Sequence, residues 1–105
     1  MARTVEFVVV LEEGVRKRHY HQSEKGKVIS FMVQLEVCVD GDWKPVVRYD
    51  SAHGFAHMDR FDSEGNQKKI PIELSFDSAL AYGDWDINVN WAKYVKTFRK
   101  QRTKP

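Results

Sequence analysis

A strict alternation of apolar and polar residues over positions 29–39 constrains the fold of this 105-residue chain more than any other feature. The apolar positions are Ile29, Phe31, Val33, Leu35, Val37 and Val39, and between them lie Ser30, Met32, Gln34, Glu36 and Cys38. A period of two places the whole apolar set on one face of a β-strand. One buried face and one partly wet face are typical of an antiparallel sheet.

Turn sequences divide the first seventy residues into further strands. Asp40–Gly41 is a strong two-residue hairpin signal because both positions tolerate positive φ. Pro45 lacks an N–H group, which places it at a sheet edge or an irregular point. The other turn sequences are "EEG" at 12–14, "SEKG" at 23–26, "SAHG" at 51–54 and "SEGN" at 63–66. We therefore predict a meander of five or six antiparallel strands over about residues 4–75.

The period changes to that of a helix after "SFDS". Helical spacing is seen for Leu80, Ile87, Trp91, Tyr94, Val95 and Phe98. We predict a helix over about 77–101, capped by Ser75 or Asp77. Gly83 costs a helix about 1 kcal/mol relative to alanine, so a break there, with Asp84 capping a second helix, is an alternative. The sheet needs an apolar cover, which predicts one α+β domain spanning 1–105 with the C-terminal helix packed on one face.

The remaining composition argues for a cytoplasmic protein. Cys38 is the only cysteine, so neither an intrachain disulfide nor a thiolate zinc cluster can form. The N-terminal apolar run, Phe7 to Leu11, ends in two glutamates and is too short for a signal sequence or a membrane span. We expect this run to be a strand and expect no membrane partner.

Positive charge collects at the C-terminal end of the predicted helix and in a basic tail over 99–105. From Lys93 onward there are six Lys/Arg and no acid, whereas the preceding 92 residues carry eleven bases and fifteen acids. Such a distribution can indicate RNA as a partner, and it equally suits the negative end of a helix dipole. The candidate nucleic-acid-binding residues are Lys93, Lys96, Arg99, Lys100 and Arg102.

The stretch "RYDSAHGFAHMDRFD" at 48–62 carries most of the chemically versatile side chains. Val47 and Tyr49 are in phase with Trp43 and are predicted to face the core, so Arg48 and Asp50 point outward. Gly54 is predicted to supply a backbone conformation that Ser or Ala resists. In the next strand one face carries Phe55, His57, Asp59 and Phe61, and the other carries Ala56, Met58 and Arg60. Parity does not say which of these faces is buried.

Two chemical interpretations of this stretch compete. His53, His57 and Asp59 form H-x3-H-x-D, which suits zinc, iron or manganese, and His19 with His21 could complete such a shell. The spacing matches no well-defined metal signature, so we predict neither a metal nor another cofactor.

The second interpretation is metal-independent cleavage of a phosphodiester. His53 and His57 would act as acid and base, oriented by Asp50 or Asp59. Arg48 and Arg60 would then stabilise charge on the phosphate.

A purely structural role is the interpretation that the residues alone favour. Asp50, Ser51 and His53 can cap a tight turn through hydrogen bonds to the local backbone. His57 is then a half-buried strand residue whose ring bonds to Asp50 or Asp59.

The segment "RYDSAHGFAHMDRFDSEGN" resembles a family of small prokaryotic proteins with the pattern R-Y-D-x-A-H-G-F-A-H-R-D followed by a glycine turn. The matching positions are Arg48, Tyr49, Asp50, His53, Gly54, Phe55, His57 and Asp59. That family is similar in turn to the TumE-like toxins of type II toxin–antitoxin pairs. The resemblance implies a cytoplasmic partner of a helix-turn-helix antitoxin that acts on RNA; a non-enzymatic protein-binding module or a homodimer is the alternative.

One position departs from this pattern, since Met58 stands where the family has arginine. If that arginine is functional in relatives, its replacement by Met58 implies a loss of activity here. If the arginine faces solvent in relatives, His57 and Asp59 turn towards the covered face of the sheet, in a pocket under the helix. We take this arrangement as our expectation.

Overall fold

The computed structural model describes residues 2–102, which form one six-stranded antiparallel sheet and one helix. The strands are β1 (Ala2–Glu12), β2 (Val15–Glu24), β3 (Lys27–Val39), β4 (Asp42–Asp50), β5 (His57–Phe61) and β6 (Gln67–Pro71), and the helix is α1 (Phe76–Arg102). The strands pair in chain order, each with the next, so the predicted α+β meander with a C-terminal helix is confirmed. Residues 103–105 of the predicted basic tail lie outside the described part of the chain.

The core lies between α1 and the apolar face of β3 and β4. Phe31, Val33, Leu35 and Val37 are buried as the alternation predicts, whereas Ile29, near the start of β3, is exposed. Val47 and Tyr49 extend the buried face into β4, and α1 contributes Ala79, Ile87, Val95 and Phe98. The sheet face turned away from α1 is called the helix-free face below.

Helix α1 runs unbroken through Gly83, so the alternative of two helices is wrong. Ser75 caps its first turn, because its hydroxyl accepts the N–H of Ser78 at 3.1 Å. A Cβ on Gly83 would lie 2.6 Å from the Tyr49 ring, so the missing side chain lets the helix approach the sheet closely. Tyr49 then donates a hydrogen bond of 2.7 Å to the buried carboxylate of Asp86. The absence of a side chain at Gly83 thus permits the close packing of α1 against β4.

An irregularity at Pro45 changes the phase of β4. Leu35 pairs with Val47, but the next residue, Glu36, pairs with Pro45, so Val46 is an extra residue on β4. The prediction that Pro45 marks an irregular point is confirmed. The prediction that Trp43 shares the core face of Val47 is wrong, because the bulge moves Trp43 to the helix-free face, where it pairs with Cys38.

The helix-free face is more polar and more buried than a simply solvated sheet face. Gln34 and Glu36 are buried there, and the amide of Gln34 donates to Glu36. Arg16 contacts Glu36 at 2.6 Å, and Arg48 donates to Gln34 at 2.6 Å. A chain of charged and polar side chains therefore crosses the face from β2 to β4.

Within the described residues 2–102, no helix combines the length and the apolar character that crossing a bilayer requires.

Candidate functional site

The connection between β4 and β5 positions the residues of the sequence motif. Asp50 ends β4, and its carboxylate accepts the N–H of Ala52 at 3.1 Å, which starts a single 3₁₀ turn over Ala52–Gly54. His53 and Gly54 follow with φ values of +68° and +84°. The expectation that Gly54 has an unusual backbone conformation is confirmed, and β5 then begins at His57.

Pairing between β4 and β5 decides which face receives His57. Tyr49 pairs with Met58, and Tyr49 is buried against α1, so Met58 lies on the helix side and packs against the core. Asp50 pairs with His57, and both lie on the helix-free face. The expected pocket under the helix is therefore wrong: Met58, and not His57, faces α1.

Three side chains converge on the helix-free face and are called the Asp–His–Asp centre: Asp50, His57 and Asp59. The Nε2 atom of His57 lies 2.6 Å from Oδ1 of Asp50 and 3.4 Å from Oδ2 of Asp59. One ligand atom from each residue can be chosen so that all three lie within 4.8 Å of one another. Strand parity predicts that His57 and Asp59 share a face, and the register with β4 adds Asp50.

The Asp–His–Asp centre is enclosed although no helix within residues 2–102 covers this face. His57 and Asp59 are both 0% exposed. The turn lies over them, with the ring centroids of Phe55 and His53 at 5.3 Å and 6.4 Å from that of His57. His53 and Phe55 are themselves exposed, so they form the boundary between the centre and solvent.

The hydrogen bonds of His57 determine its tautomer. Nδ1 lies 3.2 Å from the carbonyl oxygen of Phe55, and a carbonyl oxygen only accepts, so Nδ1 carries a proton. In the neutral ring, Nε2 is then an acceptor, and its lone pair points towards two carboxylates. This arrangement requires a positive species at Nε2, which is a proton, a lysine ammonium group or a metal ion.

Asp59 is the least satisfied member of the centre. Among residues 2–102, neither of its carboxylate oxygens has a hydrogen-bond partner, although both are buried. The ammonium of Lys69 is a nearby cationic group, at 3.6 Å from Oδ1. Buried polar groups are nearly always hydrogen-bonded, so an exception of this kind calls for a specific explanation.

Two cationic side chains flank the centre. Lys69 of β6 pairs with Asp59 in the sheet and places its Nζ 3.1 Å from Nε2 of His57. Arg48 of β4 lies 4.0 Å from Asp50 through its Nε and stacks over the ring of Phe61 at 5.0 Å. Both are partly exposed, so the same groups that contact the centre are accessible from solvent.

The other predicted site residues lie elsewhere. Arg60 is on the helix side, stacked at 4.8 Å on Tyr94 of α1. The candidate RNA-binding residues Lys93, Lys96, Arg99, Lys100 and Arg102 all belong to α1, which covers the opposite face of the sheet. Two of them contact acids there: Arg99 lies 3.9 Å from Glu12, and Arg102 lies 3.6 Å from Asp40.

The histidine pair of β2 does not complete a shell around His57. His19 and His21 lie on the helix side, where their ring nitrogens are 2.7 Å apart and His19 stacks on Phe7. Burial, with a contribution from His21, lowers the pKa of His19. Of the candidate ligands considered from spacing, His57 and Asp59 lie together with Asp50, whereas His53 and the β2 histidines are not part of that group.

Sequence reasoning missed Lys69. The sequence gives little evidence that Lys69 belongs to the centre, because it is one of two adjacent lysines in "QKKIP" and nothing in their order distinguishes them. Only the β5–β6 register separates the two, pairing Lys69 with Asp59 and Lys68 with Arg60.

Comparison with known proteins identifies the family of the chain but gives no activity. No curated protein and no solved structure matches it. The family model of DUF7718, described as a domain of unknown function, matches residues 2–104. That match covers nearly the whole sequence, and the chain therefore belongs to the DUF7718 family.

Proposed function

We propose that this chain is a toxin-like enzyme that cleaves RNA on the helix-free face of its sheet. The observation that carries the proposal is the convergence of Asp50, His57 and Asp59 in one enclosed centre, with Nε2 of His57 2.6 Å from Asp50. Enclosed clusters of titratable groups with an unsatisfied member are frequent at active sites. The resemblance to the TumE-like toxins supports RNA as the substrate, an antitoxin as the partner and the cytoplasm as the location.

The surface around the centre suits a nucleic acid. Arg48 and Lys69 supply positive charge beside the centre, where a phosphate would need it. Phe55 is 42% exposed at the boundary of the centre, and exposed aromatic rings stack on bases without regard to sequence.

The accessible proton carrier in this arrangement is His53. Both ring nitrogens of His57 face groups of the protein, and its ring is fully buried, so His57 cannot itself reach a scissile phosphate. His53 is exposed and its ring lies 6.4 Å from that of His57, so it can deliver a proton to a leaving oxygen beside the centre.

Cleavage of a mixed RNA substrate by the purified chain tests this proposal. We expect Arg48→Gln and Lys69→Gln each to lower the rate by about 100-fold, the range typical of lost transition-state charge stabilisation. Arg60→Gln is the matched control, because it removes the same kind of charge from the opposite face. Thermal melts establish that each variant is folded. Intact RNA with folded wild-type protein, or an equal loss in Arg60→Gln, would contradict the proposal.

A second candidate function, protein binding, is favoured by β1. This strand forms one edge of the sheet, and it exposes Val5, Phe7, Val8, Val9 and Val10 on its two faces. A long apolar edge strand is a ready template for a further strand. Antiparallel pairing of two copies in the register that opposes Arg3 and Glu12 would add a charge pair at each end, so we take a second copy of the chain as the partner.

The dimer is tested by light scattering on the purified chain. Val10 is 75% exposed, so Val10→Lys can disturb the edge without disturbing the core. We expect dimeric wild-type protein and a monomeric variant; a monomeric wild-type chain at high concentration refutes this second function.

A further inference from the structure

We propose that the Asp–His–Asp centre binds one divalent transition-metal ion through Nε2 of His57 and one carboxylate oxygen each of Asp50 and Asp59. The three atoms lie within 4.8 Å of one another. Metal–ligand bonds of about 2.0–2.2 Å place neighbouring ligand atoms about 3–4 Å apart, so a small contraction suffices. The inference deepens the proposed function by naming its cofactor, yet it can be tested without RNA.

The orientation of His57 is that of a metal ligand. A ligating histidine nearly always donates its other ring N–H to a carbonyl or carboxylate oxygen, which fixes the ring and the tautomer. Here Nδ1 donates to the carbonyl of Phe55 at 3.2 Å, so Nε2 offers its lone pair to the centre. Asp50 has a comparable anchor, since its carboxylate accepts the N–H of Ala52.

The unsatisfied carboxylate of Asp59 is the independent observation. Its side chain is 1% exposed, and neither oxygen is hydrogen-bonded within the described residues. With His57 neutral, the two carboxylates give the centre an excess of negative charge that the partly exposed Lys69 and Arg48 offset only in part. A divalent cation would neutralise both carboxylates and occupy the oxygens of Asp59.

Lys69 occupies the position beside His57 that the proposed ion would take. Its ammonium lies 3.1 Å from Nε2, on the atom that the metal would take, so it competes with the ion. The side chain is 37% exposed and reaches the centre from β6, so it can withdraw towards solvent when an ion binds. Removing its charge should therefore strengthen metal binding.

The donor set narrows the choice of ion. One imidazole and two carboxylates suit Mn²⁺, Fe²⁺ and Zn²⁺, whereas soft ions prefer thiolates. If a coordination position faced the substrate, a bound Zn²⁺ would lower the pKa of its water towards neutral and would supply the base that the buried His57 cannot provide.

Metal titration of the full chain tests the inference. The protein is treated with EDTA, exchanged into metal-free buffer and titrated with MnCl₂, with free Mn²⁺ followed by electron paramagnetic resonance. ZnCl₂ is titrated separately by calorimetry. We expect one ion per chain, binding weakened at least about tenfold in Asp59→Asn and His57→Gln, and tighter binding in Lys69→Gln.

Two histidine variants are the matched controls. His53→Gln removes the exposed ring beside the centre, and His21→Gln removes a ring on the helix side; both should bind the ion as tightly as wild type. Circular dichroism melts in EDTA show that every variant is folded. Equal binding by Asp59→Asn, loss of binding in either control, or a folded wild-type chain that binds neither ion would overturn the inference.

The inference and the proposed function fail in different ways. RNA cleavage that persists in EDTA by a chain that binds no ion overturns the metal site and leaves the nuclease. One bound ion per chain without any RNA cleavage leaves the metal site and overturns the nuclease.

Discussion

Replacing Asp59 by asparagine should stabilise the metal-free protein, which is the opposite of what an ordinary buried ion pair predicts. Asp59 is buried with no hydrogen bond to either oxygen within residues 2–102. The attraction of Lys69 at 3.6 Å is opposed by the carboxylate of Asp50, which lies 2.6 Å from Nε2 of the same histidine that faces Asp59. The Asp59→Asn substitution keeps the volume of the side chain and removes its charge.

The size of the effect follows from the two opposing contributions. An unsatisfied buried polar group costs about 1–3 kcal/mol, and a charged one costs more. The amide of the variant is still poorly bonded, so part of that cost stays, and the attraction of Lys69 is lost. We therefore expect a net gain of about 1 kcal/mol in the free energy of unfolding. In a domain of this size that gain raises Tm by about 4–8 °C.

Urea unfolding and thermal melts in EDTA at pH 8 measure this difference. Asp42→Asn, an exposed change on β4, is the control and should stay within about 0.5 kcal/mol of wild type. Destabilisation of Asp59→Asn by about 1 kcal/mol or more would refute the reasoning. It would mean that His57 is protonated and that the centre is a structural ion network, because breaking a buried ion pair is destabilising.

Three further predictions concern the packing and the charge of the fold. Gly83→Ala should lower the unfolding free energy by about 1–2 kcal/mol in urea, because overpacking against the Tyr49 ring outweighs the gain in helix propensity of about 1 kcal/mol; an unchanged or higher value would contradict the close approach. The pKa of His19 is lowered by burial, so the unfolded chain takes up a proton first as the pH falls. Stability should therefore decline below about pH 6.5, and comparing urea unfolding at pH 7.5 and 5.5 should show a smaller decline in His19→Gln. Met58→Arg introduces, on the helix side of β5, the arginine that the resemblance predicts, so metal binding and RNA cleavage by the folded variant should both stay at the wild-type level; a loss of either in a variant that melts like wild type would place position 58 in the site.

Strand alternation and one turn sequence were enough to predict most of the fold. The run from Phe31 to Val37 is long enough to predict a buried face without knowledge of its neighbours, and Asp40–Gly41 allows only a tight hairpin after it. Both residues of that turn have positive φ, as the hairpin requires. These signals are local, so a single sequence is sufficient to read them.

The features that could not be predicted from the sequence depend on the register between neighbouring strands. The extra residue at Val46 reverses the phase of β4 before Pro45, and no local pattern reveals how many residues the bulge contains. The face of His57 depends on which residue of β4 it opposes, and a slip of one position would exchange it with Met58. Lys69 enters the centre only through the pairing of β5 with β6.

The same register explains why the centre is rigid where its chemistry lies. Tyr49 is fixed in the core by Gly83 and by its hydrogen bond to Asp86, and the next residue, Asp50, therefore projects from a fixed point of β4 onto the helix-free face. His57 opposes Asp50 on the neighbouring strand, so the distance between them is set by sheet geometry and not by a loop. Sites built on strands hold their geometry more closely than sites built on loops. His53 and Phe55 of the turn border the centre, whereas Asp50, His57 and Asp59 project from paired strands.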